Sequence, residues 1–201
     1  MIEIDNIYNM SAEDGFSQID DDSIDLIFCD PPYGKKGLYL YEHIAKEAKR
    51  VLKDGGFCIF YASDYYLDST MRDITKYLNY FYLYHHINRE GHPSIFPKKI
   101  LVGAKSIIAF TKGKPRQDIR WLNNVILNDK SKNNHPLNWE QDVDTATQFI
   151  IAYSNEGEVI LDPVVGSGTT CIAAKRHKRK FLGFDIDKRC YDISMKRIND
   201  E

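Results

Sequence analysis

The 201-residue sequence has only four cysteines, and no two of them form a CxxC pair. Cysteines spaced so widely argue against a zinc knuckle and against the disulfide framework of a small secreted domain. No apolar run approaches the roughly 20 residues that span a membrane. The first ten residues also lack the basic start and long apolar stretch of a signal peptide. We therefore expect reduced thiols, no metal site and a cytoplasmic location.

The sequence also lacks an overall excess of basic charge, because its formal net charge is −2. No global positive field indicates a nucleic-acid partner. The charge is nevertheless uneven, since residues 98–120 contain seven Lys and Arg residues and a single acid, Asp118. The content of 43% hydrophobic and 28% charged residues is ordinary for a globular protein. The length favours one domain with a sizeable core.

Apolar strand patterns alternate with helical patterns along the chain. Short apolar or β-branched runs predict strands at residues 2–8, 24–28, 57–62, 80–87, 105–111, 159–161 and 181–185. Helical spacing predicts helices at residues 12–19, 38–52, 68–78, 142–153, 169–177 and 188–199. This alternation predicts an α/β fold, a mostly parallel sheet with helices on both faces and an antiparallel edge hairpin.

Two unusual loops follow buried strands of this predicted sheet. The first is CDPPYG at residues 29–34, and the second is LDPVVGSGTT at residues 161–170. Ligands of such sheets bind at the carboxyl ends of the strands, so both loops should lie on one edge of the domain. Two prolines in a row can neither continue a strand nor enter a helix, which marks the first loop as a stiff exit from the core.

The second loop has the features of a nucleoside site. Gly166 and Gly168 allow a tight turn and a close approach to a ligand, and hydroxyl groups follow at a helix N-terminus, where anionic groups are favoured. A phosphate-binding P-loop would need a lysine after Gly168, and a dinucleotide fingerprint would need a glycine in place of Cys171. Asp185 ends the next predicted strand, where a ribose is gripped in nucleoside-binding folds.

The first loop suits an amino group that acts as a nucleophile. The Asp30 carboxylate accepts hydrogen bonds, and the carbonyls of the proline pair have no neighbouring N–H to satisfy them. Tyr33 provides a flat face on which a base can stack. Together these groups can hold an exocyclic NH₂ with its lone pair directed outward.

With both loops in this order, the chain resembles the S-adenosylmethionine-dependent DNA amino-methyltransferases, which modify adenine N6 or cytosine N4. Asn9 and SIDLIFCDPPYG at 23–34 match the family's N-terminal pattern, and RVLKDGG at 50–56 matches the following helix end. NHP at 134–136 and GEVILDPVVGSGTTCIAAKRHKRKFLGFDID at 157–187 match its C-terminal half. Because DPPY precedes the glycine loop, the order resembles that of the permuted β class. The resemblance implies a single Rossmann-like methyltransferase domain.

The resemblance also implies roles for individual residues. Asp30, Pro31, Pro32 and Tyr33 would form the catalytic motif that holds the flipped base. Asp185 would hold the ribose hydroxyls of S-adenosylmethionine. The other expected cofactor-binding positions are Ser11, Asp30, Asp162, Pro163, Val164, Gly166, Ser167, Gly168, Thr169 and Thr170.

The sequence departs from the family pattern at three places. Val164 stands where phenylalanine is usual, and Ser11 stands where the family often has Asp. In HPLNWEQD at residues 135–142, Trp139 or Gln141 replaces the lysine of the HPxxKP segment. We expect activity to survive these departures.

Expected DNA contacts lie mainly in the loop at residues 88–99, which is either a phosphate-binding loop or a solvated one. The candidate contacts are Arg89, Lys98, Lys99 and Arg116. Residues 1–111 would be the catalytic half, 112–134 a variable connector or small recognition segment, and 135–201 the cofactor-binding half. So short a chain covers little DNA, which favours a homodimer.

Adenine N6 in DNA is the expected target, because DPPY is more often met with adenine and SPPY with cytosine N4. Cytosine-N4 methylation of DNA, adenine methylation of RNA and an inactive nucleic-acid-binding subunit remain alternatives. The chemistry implied is one in-line methyl transfer from a base flipped out of its duplex.

Overall fold

The computed structural model describes residues 2–87, 94–95, 98–127 and 142–201. Its strands are β1 Asn6–Tyr8, β2 Ile24–Cys29, β3 Leu52–Ala62, β4 Asn79–Ile87, β5 Ser94–Ile95, β6 Ile100–Leu101, β7 Ala104–Thr111, β8 Val125–Leu127, β9 Val159–Asp162 and β10 Lys180–Phe184. Its α-helices are α1 Ala12–Phe16, α2 Leu38–Val51, α3 Leu67–Ile74, α4 Val143–Tyr153, α5 Thr169–Arg176 and α6 Lys188–Asn199. The predicted strands and helices are present, but their ends differ from the predicted ones by up to five residues, since β1 begins at Asn6 and not at residue 2 and β3 begins at Leu52 and not at residue 57. The sequence pattern did not predict β5, β6 or β8.

Eight strands form the main sheet in the order β1-β10-β9-β2-β3-β7-β4-β8, and β5 and β6 form a separate antiparallel pair. Five neighbouring pairs run parallel: the four pairs from β1 to β3 in this order, and the pair of β4 with β8. The two pairings of β7 are antiparallel. The predicted mostly parallel α/β fold is thus confirmed.

Strand β8 lies within residues 112–134, where the polar pattern predicts an irregular connector. It pairs in parallel with the end of β4, so that the β4–β7 pair is not at the edge of the sheet. Only Ile126 of its three residues is buried, while Val125 and Leu127 are exposed. A strand this short, held mainly through its backbone, leaves little periodicity to detect in the sequence.

Two apolar layers cover the faces of the sheet. Strand β2 is buried at all six positions, and its residues alternate between the layers: Leu26 and Phe28 join one, whereas Ile27 and Cys29 join the other. Phe149 of α4 belongs to the first layer. Helices α1, α2 and α3 contribute to the second. Because the parallel strands of the core end together, the loops that follow β2, β9 and β10 meet at one edge.

Candidate active site

A cavity of about 510 Å³ lies at the carboxyl ends of β2, β9 and β10. Its volume is within the range of about 300–1,000 Å³ that is usual for small-molecule sites. Both loops line it, with Asp30 from the first, Asp162 from the second and Asp185 from the end of β10. The hydroxyl of Thr170 in α5 donates to the Phe28 carbonyl at 3.3 Å. This hydrogen bond connects the helix that follows the glycine loop to the strand that precedes the DPPY loop.

The glycine loop turns sharply between β9 and α5. Gly166 has φ +55° and Gly168 has φ +91°, which are left-handed conformations that favour glycine. A Cβ added to Gly166 would meet no atom within 4 Å, so this backbone faces open space. A Cβ on Gly168 would lie 3.1 Å from Cβ of Ser194 in α6. Gly166 therefore borders the cavity, whereas Gly168 allows α6 to pack closely.

The Asp185 carboxylate fixes the shape of this loop. Its Oδ2 accepts a hydrogen bond from the Gly166 amide at 2.7 Å, and its Oδ1 accepts one from the Asp187 amide at 2.8 Å. Asn9 donates to the Asp185 carbonyl at 2.8 Å and so anchors the backbone after β10. Burial raises the pKa of Asp185, while its two backbone hydrogen bonds oppose the rise.

Asp162 is the most enclosed of the carboxylates that line the cavity, with 4% of its surface exposed. Its Oδ1 accepts a hydrogen bond from the Val164 amide at 3.1 Å. Burial raises the pKa of Asp162 to about 7, and the nearby charges of Asp185 and Asp30 add to the rise. The acids Asp30, Asp162 and Asp185, together in a largely apolar space, favour a ligand with cationic or hydrogen-bond-donating groups.

The DPPY loop is held from below by α2 and the turn before it. A Cβ on Gly37 would lie 2.0 Å from the Pro32 carbonyl oxygen, so only glycine fits under the loop. The buried Tyr41 hydroxyl lies 3.5 Å from the Pro31 carbonyl and donates to the Tyr61 carbonyl at 3.0 Å. The Pro31 carbonyl therefore has only a long hydrogen-bond contact with the Tyr41 hydroxyl, which donates more closely to Tyr61.

Tyr33 stands at the mouth of the cavity, where 46% of its surface is exposed. Partial burial and the Asp30 carboxylate raise the pKa of its phenol, which therefore stays neutral at physiological pH. The ammonium group of Lys105 lies 5.9 Å from the centre of the ring. The neutral ring of Tyr33 and the ammonium group of Lys105 therefore lie close together at the entrance of the cavity.

Most residues that the sequence predicts for the site line this one cavity. Gly168 is the exception, because it faces α6. Ser11 lines the cavity and also caps α1, since its Oγ accepts a hydrogen bond from the Asp14 amide at 3.1 Å. The predicted residues in the lining are Ser11, Asp30, Pro31, Pro32, Tyr33, Asp162, Pro163, Val164, Gly166, Ser167, Thr169, Thr170 and Asp185.

Among the described residues, the basic side chains predicted to contact DNA lie at two opposite ends of the sheet. Lys98 and Lys99 are exposed near the same end of the sheet as the cavity, and the Lys98 ammonium lies 4.6 Å from the centre of the Tyr65 ring. Arg116 instead pairs with Asp118 at 2.6 Å and with Glu158 at 2.7 Å, beside the start of β9 at the opposite end. Arg116 therefore holds two segments together, away from the cavity.

Several predicted positions lie outside the described residues. They are Arg89, Trp139, Gln141 and the NHP run at 134–136.

The structure also adds cavity residues that sequence patterns did not indicate. Glu13 and Tyr39 come from the first turns of α1 and α2, and Lys105 comes from the start of β7. Tyr61 reaches the cavity from the end of β3. Ile186 and Asp187 directly follow Asp185, and this adjacency is a signal that could have identified them.

No metal site or membrane helix is found in the described ranges. No group of three or more His, Cys, Asp or Glu side chains there could hold a metal ion. None of the helices in these ranges has both the length and the apolar character needed to cross a membrane.

The second half of the chain is similar to a known protein family. The pattern of the DNA methylase family matches residues 104–196, which include β7, the glycine loop and α6 up to its last turn. The match covers slightly less than half of the chain, so it shows a similarity to this family over that segment. The match begins after the DPPY loop, which this family pattern therefore does not cover.

Individual DNA methylases are similar over different lengths. The type II methyltransferase M2.LlaDCHI of Lactococcus lactis subsp. cremoris is 37% identical over 91 residues, which are 45% of this chain and 33% of that protein. The type II methyltransferase M.HpaI of Haemophilus parainfluenzae is 26% identical over 95% of this chain and 73% of its own length. The first match thus spans about a third of its relative.

Solved DNA methylase structures share the fold. The M1.HpyAVI–SAM complex has a TM-score of 0.79 and 19% identity, and the match covers 96% of this chain and 98% of the other. The PvuII DNA methyltransferase, described as cytosine-N4-specific, has a TM-score of 0.81 and 18% identity over 100% of this chain and 92% of the other. At these identities the likeness shows the fold alone.

Proposed function

We propose that this chain transfers the methyl group of S-adenosylmethionine to an exocyclic amino group of a base in DNA. The observation that carries the proposal is that the DPPY loop and the glycine loop line a single cavity, with Asp30 and Asp185 both in its wall. Similarity to type II methyltransferases supports the reaction class. The order of the two loops, with DPPY first, supports assignment to the permuted β class.

The residues around the glycine loop fit S-adenosylmethionine, which supplies the methyl group from its sulfonium centre. The open space beside Gly166 lets backbone approach a ligand closely. The Asp185 carboxylate has further lone pairs for ribose hydroxyls while it holds the Gly166 amide. The Ser167 and Thr169 hydroxyls, at the N-terminus of α5, suit the carboxylate of the methionine part. The enclosed Asp162 offsets positive charge on the same ligand.

The residues around the DPPY loop hold the target amino group. Asp30 and the Pro31 carbonyl accept its two hydrogen bonds, so that the nitrogen lone pair points toward the glycine loop. Tyr33 stacks on the base, which must leave the duplex because its amino group is inaccessible inside it. Bound S-adenosylmethionine would supply the methyl group toward which Asp30 and the Pro31 carbonyl direct the nitrogen lone pair, and the Asp30 carboxylate would accept the proton that the amino group loses on methylation. Positioning and electrostatics provide the rate enhancement.

Within this proposal we assign adenine N6 as the target atom. The DPPY form of the loop, with Asp30 as its acid, supports adenine over cytosine N4. An adenine amino group can donate one hydrogen bond to Asp30 and one to Pro31, which is the pair of acceptors that the loop offers. A site-specific reaction, as in the restriction–modification relatives, and a homodimer on DNA are part of the same proposal.

Mass spectrometry of nucleosides tests this function. DNA is incubated with the protein and S-adenosylmethionine, and the product is digested and analysed, with RNA as a competitor in a parallel reaction. We expect N6-methyladenine from DNA and little effect of RNA. N4-methylcytosine without N6-methyladenine would overturn the adenine assignment. Methylated RNA with unmodified DNA would show that DNA is not the substrate. If S-adenosylmethionine binds but no methylated nucleoside forms, the proposed methyltransferase activity is wrong.

A further inference from the structure

A second, smaller cavity of about 180 Å³ lies next to the active cavity. Its lining combines an aromatic ring, an ammonium group, a carboxylate and apolar side chains. Its lining includes Asp64, Tyr65, Lys98, Ile100, Leu101 and Ala104.

The two cavities share a wall made from the end of β3 and the start of β7. Tyr61 and Lys105 line the active cavity, whereas Asp64 and Ala104 line the small one. Ala62 pairs with Ser106 in the antiparallel ladder, which fixes the two strand ends relative to each other. The buried Ser106 hydroxyl also donates to Asp64. The small cavity is therefore a fixed neighbour of the active one.

At each of the two cavities, a lysine ammonium group lies near a tyrosine ring. The Lys105 ammonium lies 5.9 Å from the centre of the Tyr33 ring, and the Lys98 ammonium lies 4.6 Å from the centre of the Tyr65 ring. A lysine over an aromatic face is attracted to it and so is kept at one place on the surface. Each cavity thus has an ammonium group beside an aromatic ring.

The chemistry of the small cavity matches one nucleotide. The Lys98 ammonium can bind a phosphate. The Tyr65 ring, together with the exposed side chains of Ile100 and Leu101, offers an apolar surface for the face of a base. A cavity of this size is on the scale of one heterocyclic base, whereas the active cavity has room for a larger ligand.

We propose that the small cavity binds the nucleotide that is next to the flipped target on the same strand, with Lys98 and Lys105 on the flanking phosphates. This inference rests on the proposed function, because it needs the target base to lie in the active cavity. It assigns part of the sequence preference of the enzyme to the segment from Lys98 to Lys105. The base in the small cavity is unstacked from its neighbour, as the target base is.

The first test uses duplex oligonucleotides that contain the methylated site found in the nucleoside experiment. One neighbour of the target, on either side, is replaced by an abasic tetrahydrofuran residue. For the parent protein we expect kcat/KM to fall by about 10-fold or more for one of the two abasic duplexes, since base stacking is worth roughly 1–3 kcal/mol. For Tyr65→Ala and Leu101→Ala, we expect the intact duplex to lose activity and the same abasic residue to have little further effect.

The second test measures the salt dependence of binding to the intact duplex. Lys98→Ala should reduce the slope of log K against log salt by about 1, because one phosphate contact is lost. Lys114→Ala is the matched control, since Lys114 is also exposed but follows the far end of β7. It removes the same charge and should leave the slope unchanged.

The outcomes separate this inference from the proposed function. If the parent methylates the intact duplex and both abasic duplexes at equal rates, the small cavity does not hold a neighbouring base and only this inference fails. Equal changes of slope in Lys98→Ala and Lys114→Ala would likewise contradict it. If no duplex is methylated at all, the proposed function and this inference fail together.

Discussion

The Asp185 carboxylate accepts a hydrogen bond from the Gly166 amide at 2.7 Å, although 19 residues separate them in the chain. The acid at the end of β10 therefore holds the loop that follows β9 in the conformation that borders the cavity. Its other oxygen accepts from the Asp187 amide, which begins the turn into α6. One side chain thus joins two elements of the candidate cofactor site.

We expect Asp185→Ala to weaken the binding of S-adenosylmethionine by about 10- to 100-fold. The change removes hydrogen bonds to a charged acceptor, which are worth roughly 1.5–3 kcal/mol each. Isothermal titration calorimetry measures the loss. Asp192→Ala is the matched control, because this exposed acid in the following helix α6 pairs only with Lys188 among the described contacts. Parental affinity in Asp185→Ala would remove Asp185 from the cofactor site.

Tyr33 is expected to act through its ring and not through its hydroxyl. Tyr33→Ala should weaken capture of the flipped base by roughly 1–3 kcal/mol, since a base–aromatic stack is lost. Tyr33→Phe keeps the ring and should cost much less. Steady-state kinetics with a fixed duplex compares the two variants. A Phe variant as impaired as the Ala variant would show that the hydroxyl, and not the stack, carries the role.

Asp162 should make stability depend on pH between about 4 and 7. Burial raises its pKa in the folded state to about 7 from the ordinary value of 3.8, so in this window the folded protein holds a proton that the unfolded chain releases. The folded state binds more protons, and the free energy of unfolding therefore falls as the pH rises. The slope is at most about 1.4 kcal/mol per pH unit from this group.

Urea unfolding of the parent and of Asp162→Asn, at several pH values from 4 to 8, measures this contribution. The raised pKa of Asp185 acts in the same direction, so the difference between the two proteins isolates Asp162. We expect the parent's advantage over the variant to shrink as the pH rises to about 7 and then to stay constant. Parallel curves for the two proteins would show that Asp162 does not carry this proton.

The sequence predicted that the DPPY and glycine loops lie at one edge of the sheet, because the signals for this arrangement are local. CDPPYG and GSGTT each leave a buried strand, and parallel strands of one sheet end at a common edge. This rule is sufficient to bring Asp30, Asp162 and Asp185 together without knowledge of any side-chain contact. The roles that we give these residues remain proposals, which the variants above test.

The rest of the site depends on pairings between distant segments. Lys105 reaches the cavity only because β7 runs antiparallel to β3, with Ser106 opposite Ala62. No local motif marks such a register. Gly168 falls in the same motif as Gly166, yet the packing of α6 turns it away from the cavity. For Arg116, net charge along the chain suggested DNA, whereas the fold places Glu158 beside it.

The most direct test of the account is the activity of Asp30→Ala, measured together with its thermal melt. If Asp30 holds the amino group in the transition state, methyl transfer should fall by about 10²-fold or more. The melting temperature should stay near that of the parent, because Asp30 follows the end of β2 at the cavity wall and is not part of the apolar layers. A variant that melts like the parent and methylates DNA at the parental rate would contradict the account, because the DPPY loop would then be only a turn.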